Sequence, residues 1–137
     1  MADTPESVVR RFFLAWENPS PDGLASFFSP DGVDVTVSGG VIQGVDAIRT
    51  HYQELLGRGF TDFRVEIKRM VADGGTVMAE RIDGFSFGGR RFQIEAVAVF
   101  EIDSDGRIQR FRDYYDRQSA ADQVEAAGLD APPKWSE

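Results

Sequence analysis

The sequence predicts an α+β fold: a cone-shaped, strongly curved, mostly antiparallel sheet with N-terminal helices packed on its concave face. Three observations carry this. From residue 4 to residue 56, apolar side chains recur mainly at helical spacing, with one short alternating strand between helices. From residue 62 to residue 117, four long runs alternate apolar and polar with period two. The breaks between those runs, Asp73-Gly74-Gly75, Gly88-Gly89 and Asp103-Ser104-Asp105-Gly106, have the composition of short hairpin connections. Long twisted strands with helices laid across one face enclose a deep pocket.

Each element has a local reason. Thr4-Pro5 starts the first helix, with a capping hydroxyl followed by proline at the first helical position. Val8, Val9, Phe12, Phe13 and Trp16 form its apolar stripe, and Asn18-Pro19-Ser20-Pro21 ends it. A short helix is expected over Asp22 to Phe28, a turn at Pro30-Asp31-Gly32, and a strand from Val33 to Val37. Gly44 to Leu56 reads as a third helix, with Val45, Ile48, Tyr52 and Leu55 on one side. The four back-half strands follow as Asp62–Val71, Thr76–Phe87, Arg90–Ile102 and Arg107–Arg117. Ser119 to Ala127 reads as a closing helix, capped by Ser119 and ended by Gly128. Residues 1–137 form one domain on this reading, with 118–137 a C-terminal extension that packs loosely at Pro132-Pro133.

Composition narrows the chemistry. The chain has no cysteine and one histidine, His51. Disulfides, thiolate metal sites and cysteine nucleophiles are thereby excluded, and no His-rich metal cage is possible. The acidic balance, 23 acidic against 15 basic residues, argues against a nucleic-acid binder. The N-terminus lacks the basic and apolar regions of a signal peptide, and no apolar stretch is long enough to span a membrane. A cytoplasmic protein without membrane contact is therefore expected. Catalysis, if present, falls on carboxylates, arginines, tyrosines and hydroxyls.

One strand breaks the burial rule. In the run Thr76–Phe87, the odd-numbered face is the more apolar, yet it holds Arg81 and Asp83 at its centre. Charges are almost never buried unless paired. A two-residue Gly88-Gly89 turn sets Arg81 opposite Ala96 and Asp83 opposite Ile94 on an almost wholly apolar face of the next strand. A four-residue loop at 103–106 then sets Asp113 opposite Ala96, and a two-residue Asp105-Gly106 loop shifts this by two residues but keeps the same face. Only an odd-length loop or a bulge would turn Asp113 outward. Arg81 and Asp113 thus lie two strands apart, about 10 Å between backbones at ~4.8 Å per strand. An arginine can cross that gap over a small alanine. The expected result is an Asp83–Arg81–Asp113 bridge walled by Phe85, Phe87, Phe92 and Phe100. Such a triad can be structural, but buried ion triads contribute little stability. Two carboxylates sharing one arginine in an apolar pocket suit acid–base work, one held protonated by desolvation while the other stays charged.

The strings Glu80-Arg81-Ile82-Asp83 and Phe111-Arg112-Asp113-Tyr114-Tyr115-Asp116 resemble the limonene-1,2-epoxide hydrolase family of the SnoaL-like, nuclear-transport-factor-2-like superfamily. That family carries an Arg-x-Asp strand and a Trp-Arg-Asp-Tyr-Phe-Asp strand. Here Phe111 stands for the Trp and Tyr115 for the Phe. The resemblance runs from about Gly44 to Arg117, and the front half agrees in pattern. It implies a single domain of that superfamily and a one-step hydrolysis of a small or medium apolar epoxide to a vicinal diol. By the same resemblance, Asp83 protonates the epoxide oxygen, Asp113 takes a proton from water and Arg81 holds both. No metal and no cofactor are implied, and the partners are the epoxide and water. The family positions its water with a Tyr and an Asn two residues apart on the first strand. Counting back from Gly44 puts Asp34 and Thr36 there instead, a departure that adds a carboxylate. Phe85, Phe87, Phe92, Ile94, Phe100 and Trp16 are assigned to the substrate pocket, although Trp16 reads first as core.

Two other functions compete. A ketosteroid-isomerase-like or polyketide-cyclase-like enzyme would use Asp34 to take a proton beside a carbonyl, without needing the Arg81 set. A ligand-binding or dimerisation module of the same fold is the third reading. His51 reads as a partly exposed helix residue, and Arg90-Arg91 and Lys68-Arg69 as solvated strand positions. The outward face carries Glu95, Val97, Val99 and Glu101. Its two valines suggest a covering partner, and the resemblance makes a homodimer the expectation.

Overall fold

The computed structural model describes residues 3–36 and 40–129. Its elements are α1 (Pro5–Ala15), α2 (Pro21–Ala25), β1 (Phe28–Thr36), β2 (Gly40–Gln43), α3 (Val45–Leu56), β3 (Thr61–Asp73), β4 (Thr76–Phe87), β5 (Arg90–Ile102), β6 (Ile108–Tyr115) and α4 (Arg117–Ala126). The six strands form one sheet in the order β2-β1-β6-β5-β4-β3. Strands β3 to β6 are the expected antiparallel meander, and β1 adds to β6 in parallel. The helices pack on this curved sheet, and the α+β expectation holds.

The helix ends follow their caps. The Thr4 hydroxyl accepts from the Ser7 backbone N–H at 3.1 Å, and Ser20 does the same for Gly23 at 3.0 Å. Helix α4 begins earlier than expected because Asp116, not Ser119, is its cap; the carboxylate accepts from the Ser119 N–H at 3.0 Å. An aspartate before the first turn is favoured twice, by hydrogen bonding and by the helix dipole.

The front half departs from expectation in three places. Helix α2 stops at Ala25, so Phe28 opens β1 rather than closing a helix. Pro30-Asp31-Gly32 lies inside β1, where the pairing with β6 shifts between Phe28 and Val33. The turn-forming residues are absorbed as an irregularity in a strand that continues. Strand β2 was not expected; it pairs with β1 through Val33↔Gln43 to Thr36↔Gly40. The predicted strand end at Val37 and the Pro132-Pro133 tail lie outside the described residues.

The interior has two parts. In the larger one, Phe12 meets Phe28, Phe100 and Phe111 edge-on at 5.7, 5.9 and 5.4 Å between ring centroids. Phe100 stacks on Phe111 at 4.8 Å. Around them pack Val8, Val9, Leu24, Ile48, Val77, Ala79 and Ala98. The smaller part, Phe60, Phe85, Phe92 and Val124, lies where α4 covers the other end of the sheet. Among the described residues, no helix is long and apolar enough to cross a membrane.

Candidate active site

The Gly88-Gly89 turn controls the site's register. Both glycines have positive φ, 59° and 76°, the pair of angles a two-residue hairpin of the right twist requires and that side chains resist. Phe87 consequently faces Arg90, Arg81 faces Ala96 and Asp83 faces Ile94, as the sequence predicts.

The β5–β6 register lies two residues from that of a four-residue loop and matches the one expected for a two-residue Asp105-Gly106 loop. Asp113 faces Ala98, and Ala96 faces Tyr115. The connection after Ile102 runs through Arg107, since Ile102 pairs with Ile108. That odd length would turn Asp113 outward. A second irregularity, where Glu101 pairs with Arg110, shifts the register once more and restores the face. The two shifts add to two residues, so Asp113 points inward opposite Ala98, reached by an odd connection plus a bulge and not by an even loop. The spacing Ile108 to Phe111, both buried, is the sequence trace of this bulge, because a regular strand repeats every second residue.

Arg81 therefore runs diagonally over Ala96 and Ala98, both buried and both too small to obstruct it. Its side chain is 3% exposed. Nε and Nη2 donate to the two oxygens of Asp83, each at 2.9 Å. Nη1 and Nη2 donate to the two oxygens of Asp113, each at 2.8 Å. The result is two bidentate, charge-assisted pairs on one cation. The Phe13 ring lies under the guanidinium at 4.8 Å, a cation–π contact favoured where water is excluded.

The two carboxylates are not equivalent. The Asp83 side chain is 32% exposed and Asp113 is 13% exposed. Asp83 lines the cavity, and its open side faces that cavity. Burial holds the Asp83 carboxyl above the usual carboxylate range; Arg81 opposes this, and the Asp113 charge adds to it. The two aspartates keep the Arg81 guanidinium firmly protonated despite burial.

The cavity has a volume of about 200 Å³. Trp16, Phe60, Phe63, Phe85, Ile94 and Phe111 supply much of its apolar wall. Of the residues assigned to the pocket from sequence, Phe85, Ile94 and Trp16 line it, and so do Asp34 and Thr36. Phe87, Phe92 and Phe100 do not. Phe100 belongs to the main core under α1, while Phe87 stacks on Phe60 at 5.0 Å and Phe92 on Phe85 at 5.7 Å, behind the wall. Sharing a strand face does not mean sharing a cavity, because a curved sheet carries the ends of one face apart. His51, expected on the surface, is partly exposed but also lines the cavity.

Sequence reasoning passed over Tyr52. Its hydroxyl donates to Asp34 Oδ2 at 2.7 Å, and both residues are buried lining groups of the cavity. A tyrosine on the apolar side of a helix needs a buried partner for its hydroxyl. That need, with an acidic residue alternating inward on β1, was the available signal.

The profile of the SnoaL-like domain matches residues 9–111. The chain belongs to the SnoaL-like domain family. Epoxide hydrolase EphG of Mycobacterium tuberculosis is 36% identical over 108 residues, spanning 79% of this chain and 70% of that protein. A solved LEH-like epoxide hydrolase from M. tuberculosis superposes with a TM-score of 0.76 at 32% identity, over 89% of this chain and 90% of the other. A hypothetical protein with a ketosteroid isomerase-like fold from Catenulispora acidiphila, solved with trimethylamine, gives a TM-score of 0.79 at 24% identity, over 95% of this chain and 100% of the other. At that identity the likeness speaks for the fold. As a SnoaL-like protein this chain has a relative named for epoxide hydrolysis and shares its scaffold with proteins of other titles, so its function has to be argued from the site.

Proposed function

We propose that this SnoaL-like protein adds water to a small or medium apolar epoxide and releases a vicinal diol, in one step and without a covalent intermediate. The observation that carries the reading is one buried arginine holding two carboxylates bidentately at the wall of an apolar cavity. The named relative supports the reaction class.

In this mechanism the Asp113 carboxylate takes a proton from water as the water oxygen attacks an epoxide carbon. The carbon–oxygen bond of the ring breaks, and the released oxygen receives the proton of Asp83. One proton then moves from Asp113 back to Asp83 to restore the resting state. The roles follow from environment. Asp83 has its proton affinity raised by burial and opens to the cavity, which suits the acid. Asp113 is held by two bonds from Arg81 and lines the same cavity, which places it to receive the water's proton. Each proton transfer contributes about 10²–10⁴-fold, and ring strain in the epoxide supplies much of the rest. The rate should fall as pH rises through the Asp83 value, because the acid must be protonated. Asp34 and Thr36 are the candidate water holders. A second copy covering the outward sheet face, where Met78, Val97 and Tyr114 are 47, 40 and 44% exposed, would complete a homodimer.

A panel of terpene, cyclic and aryl epoxides tests the reaction, with diol formation followed in isotopically labelled water. Asp83→Asn and Asp113→Asn should each abolish turnover while the fold survives; full activity in either variant rejects the mechanism. One observation keeps a second reading in play. Asp34 is a buried carboxylate in the same cavity, held by Tyr52, as a base beside a carbonyl would need to be. If no epoxide reacts but an enone isomerises, and Asp34→Asn stops it, that reading replaces the first.

A further inference from the structure

The proposed reaction employs Arg81, Asp83 and Asp113 and leaves Tyr52 without a part. Tyr52 and Asp34 are each 2% exposed, and they come from different elements, α3 and β1. Strands β1 and β6 run parallel, with Thr36 opposite Asp113 and Asp34 opposite Phe111. Asp34 thus sits two positions back from Asp113 on the neighbouring strand, and both line one cavity. A strand spacing of ~4.8 Å and a rise of ~3.3 Å per residue put their backbones about 8 Å apart. Inward-pointing carboxylates on such positions are within the reach of one bridging water, which spans two acceptors with bonds of ~2.8 Å. The Tyr52 phenol lies within the field of both carboxylates; burial, then Asp34 and Asp113, hold its ionisation well above the ordinary range. It therefore remains a donor under any working condition, and its single proton goes to Asp34.

We propose that Tyr52 is a positioning residue: through its hydrogen bond it aims the Asp34 carboxylate at the water that Asp113 deprotonates, so that the nucleophile is held between two carboxylates before attack. This rests on the hydrolysis reading. Water has two protons. Asp113 takes one, Asp34 accepts the other as a hydrogen bond only, and an oxygen lone pair is turned toward the epoxide carbon. The gain is one of orientation, so it belongs in kcat and not in substrate binding.

Two measurements decide it. Crystal structures of the wild type and of Tyr52→Phe, at a resolution that orders waters, should show one water within hydrogen-bond distance of both Asp34 and Asp113 in the first. In the second, that water should be lost or the Asp34 carboxylate turned. With a reactive epoxide, Tyr52→Phe should lower kcat by about 10–100-fold while KM stays within about twofold. Asp34→Asn should do the same with Tyr52 in place, and the double variant should be no slower than the slower single one, because the pair acts as a unit. A wild type with no water there, or a Tyr52→Phe protein that keeps both water and kcat and loses only thermal stability, overturns the proposal and makes the pair a structural tie between α3 and β1. An inactive wild type rejects the hydrolysis reading instead, and the paired crystal structures still decide whether Tyr52 and Asp34 hold a water at Asp113.

Discussion

The inward face of β4 changes character halfway along. Toward its start, Val77 and Ala79 are fully buried in an aromatic core organised around Phe12. Two residues on, the same face presents Arg81 and then Asp83 to a cavity. Both halves use the same pleat and the same partner strand. What separates them is what stands above. Rings from α1, β1, β5 and β6 fill the first half, whereas beside the second, Ala96, opposite Arg81, leaves space that a guanidinium occupies. The comparison teaches that the charged half is held by its neighbour: an arginine with two acids is a weak source of stability, and the Phe12 core supplies the burial that keeps it dry.

Substitution should separate the two halves. The largest effect is expected from Arg81→Met. It leaves Asp83 and Asp113 facing each other without a cation, at a cost of about 3–5 kcal/mol. Both carboxyls then favour the proton more strongly in the folded than in the unfolded chain. The variant should therefore regain stability as pH falls, which a melting curve at several pH values reads directly. Phe12→Ala should cost a similar ~3–5 kcal/mol with no such pH dependence, and below its lowered melting temperature the epoxide rate should persist. A loss of rate equal to that of Arg81→Met would show that the halves are one unit.

Smaller effects sharpen the boundary. Ala98→Val places extra volume where Arg81 crosses toward Asp113, at a cost of about 1–3 kcal/mol. Its rate should fall further than its melting temperature suggests. The smallest effect concerns Asp83 alone. Its folded value is raised, so the folded chain binds this proton more tightly than the unfolded one. That contribution is fully present below the ordinary carboxylate range and is lost as pH rises through the folded value. Asp83→Asn should remove this limb. The variant's melting temperature should gain on the wild type with rising pH, and a constant difference would contradict the raised value.

Much of the site was legible because its residues lie on long, regular strands. The limits of β4 and β5 match the sequence reading, and Gly88-Gly89 sets their pairing through backbone angles that only a local motif demands. Charged residues on an apolar strand face drew attention to Arg81 and Asp83 without any fold. Asp113 was placed on the correct face by counting an even-length loop, whereas the structure reaches that face through an odd connection and a bulge that add to two residues. Irregular pairing is a compromise between strands and leaves only faint traces in either one. The parallel pairing of β1 with β6 was not legible, since the partners are distant in sequence, and β2, with only 4 residues, is too short to show an alternation. The same holds for the wall of the cavity. Phe60, Phe63 and Phe111 join it, while Phe87, Phe92 and Phe100 leave it, because sheet curvature and not alternation decides which rings converge.

From its sequence this protein was determined to be an α+β chain with an antiparallel meander, one displaced arginine and two acids on an inward face. Those features follow from period, turn angles and the rule that buried charges need partners, all of which act over a few residues. The tertiary structure alone decided that Tyr52 reaches Asp34 from a helix, by what irregular pairing Asp113 comes to meet Arg81, and which aromatic rings enclose them. Those depend on the bulges that bend the strands and on where α1 and α3 settle against them, and such packing is set by the sum of contacts across the whole chain.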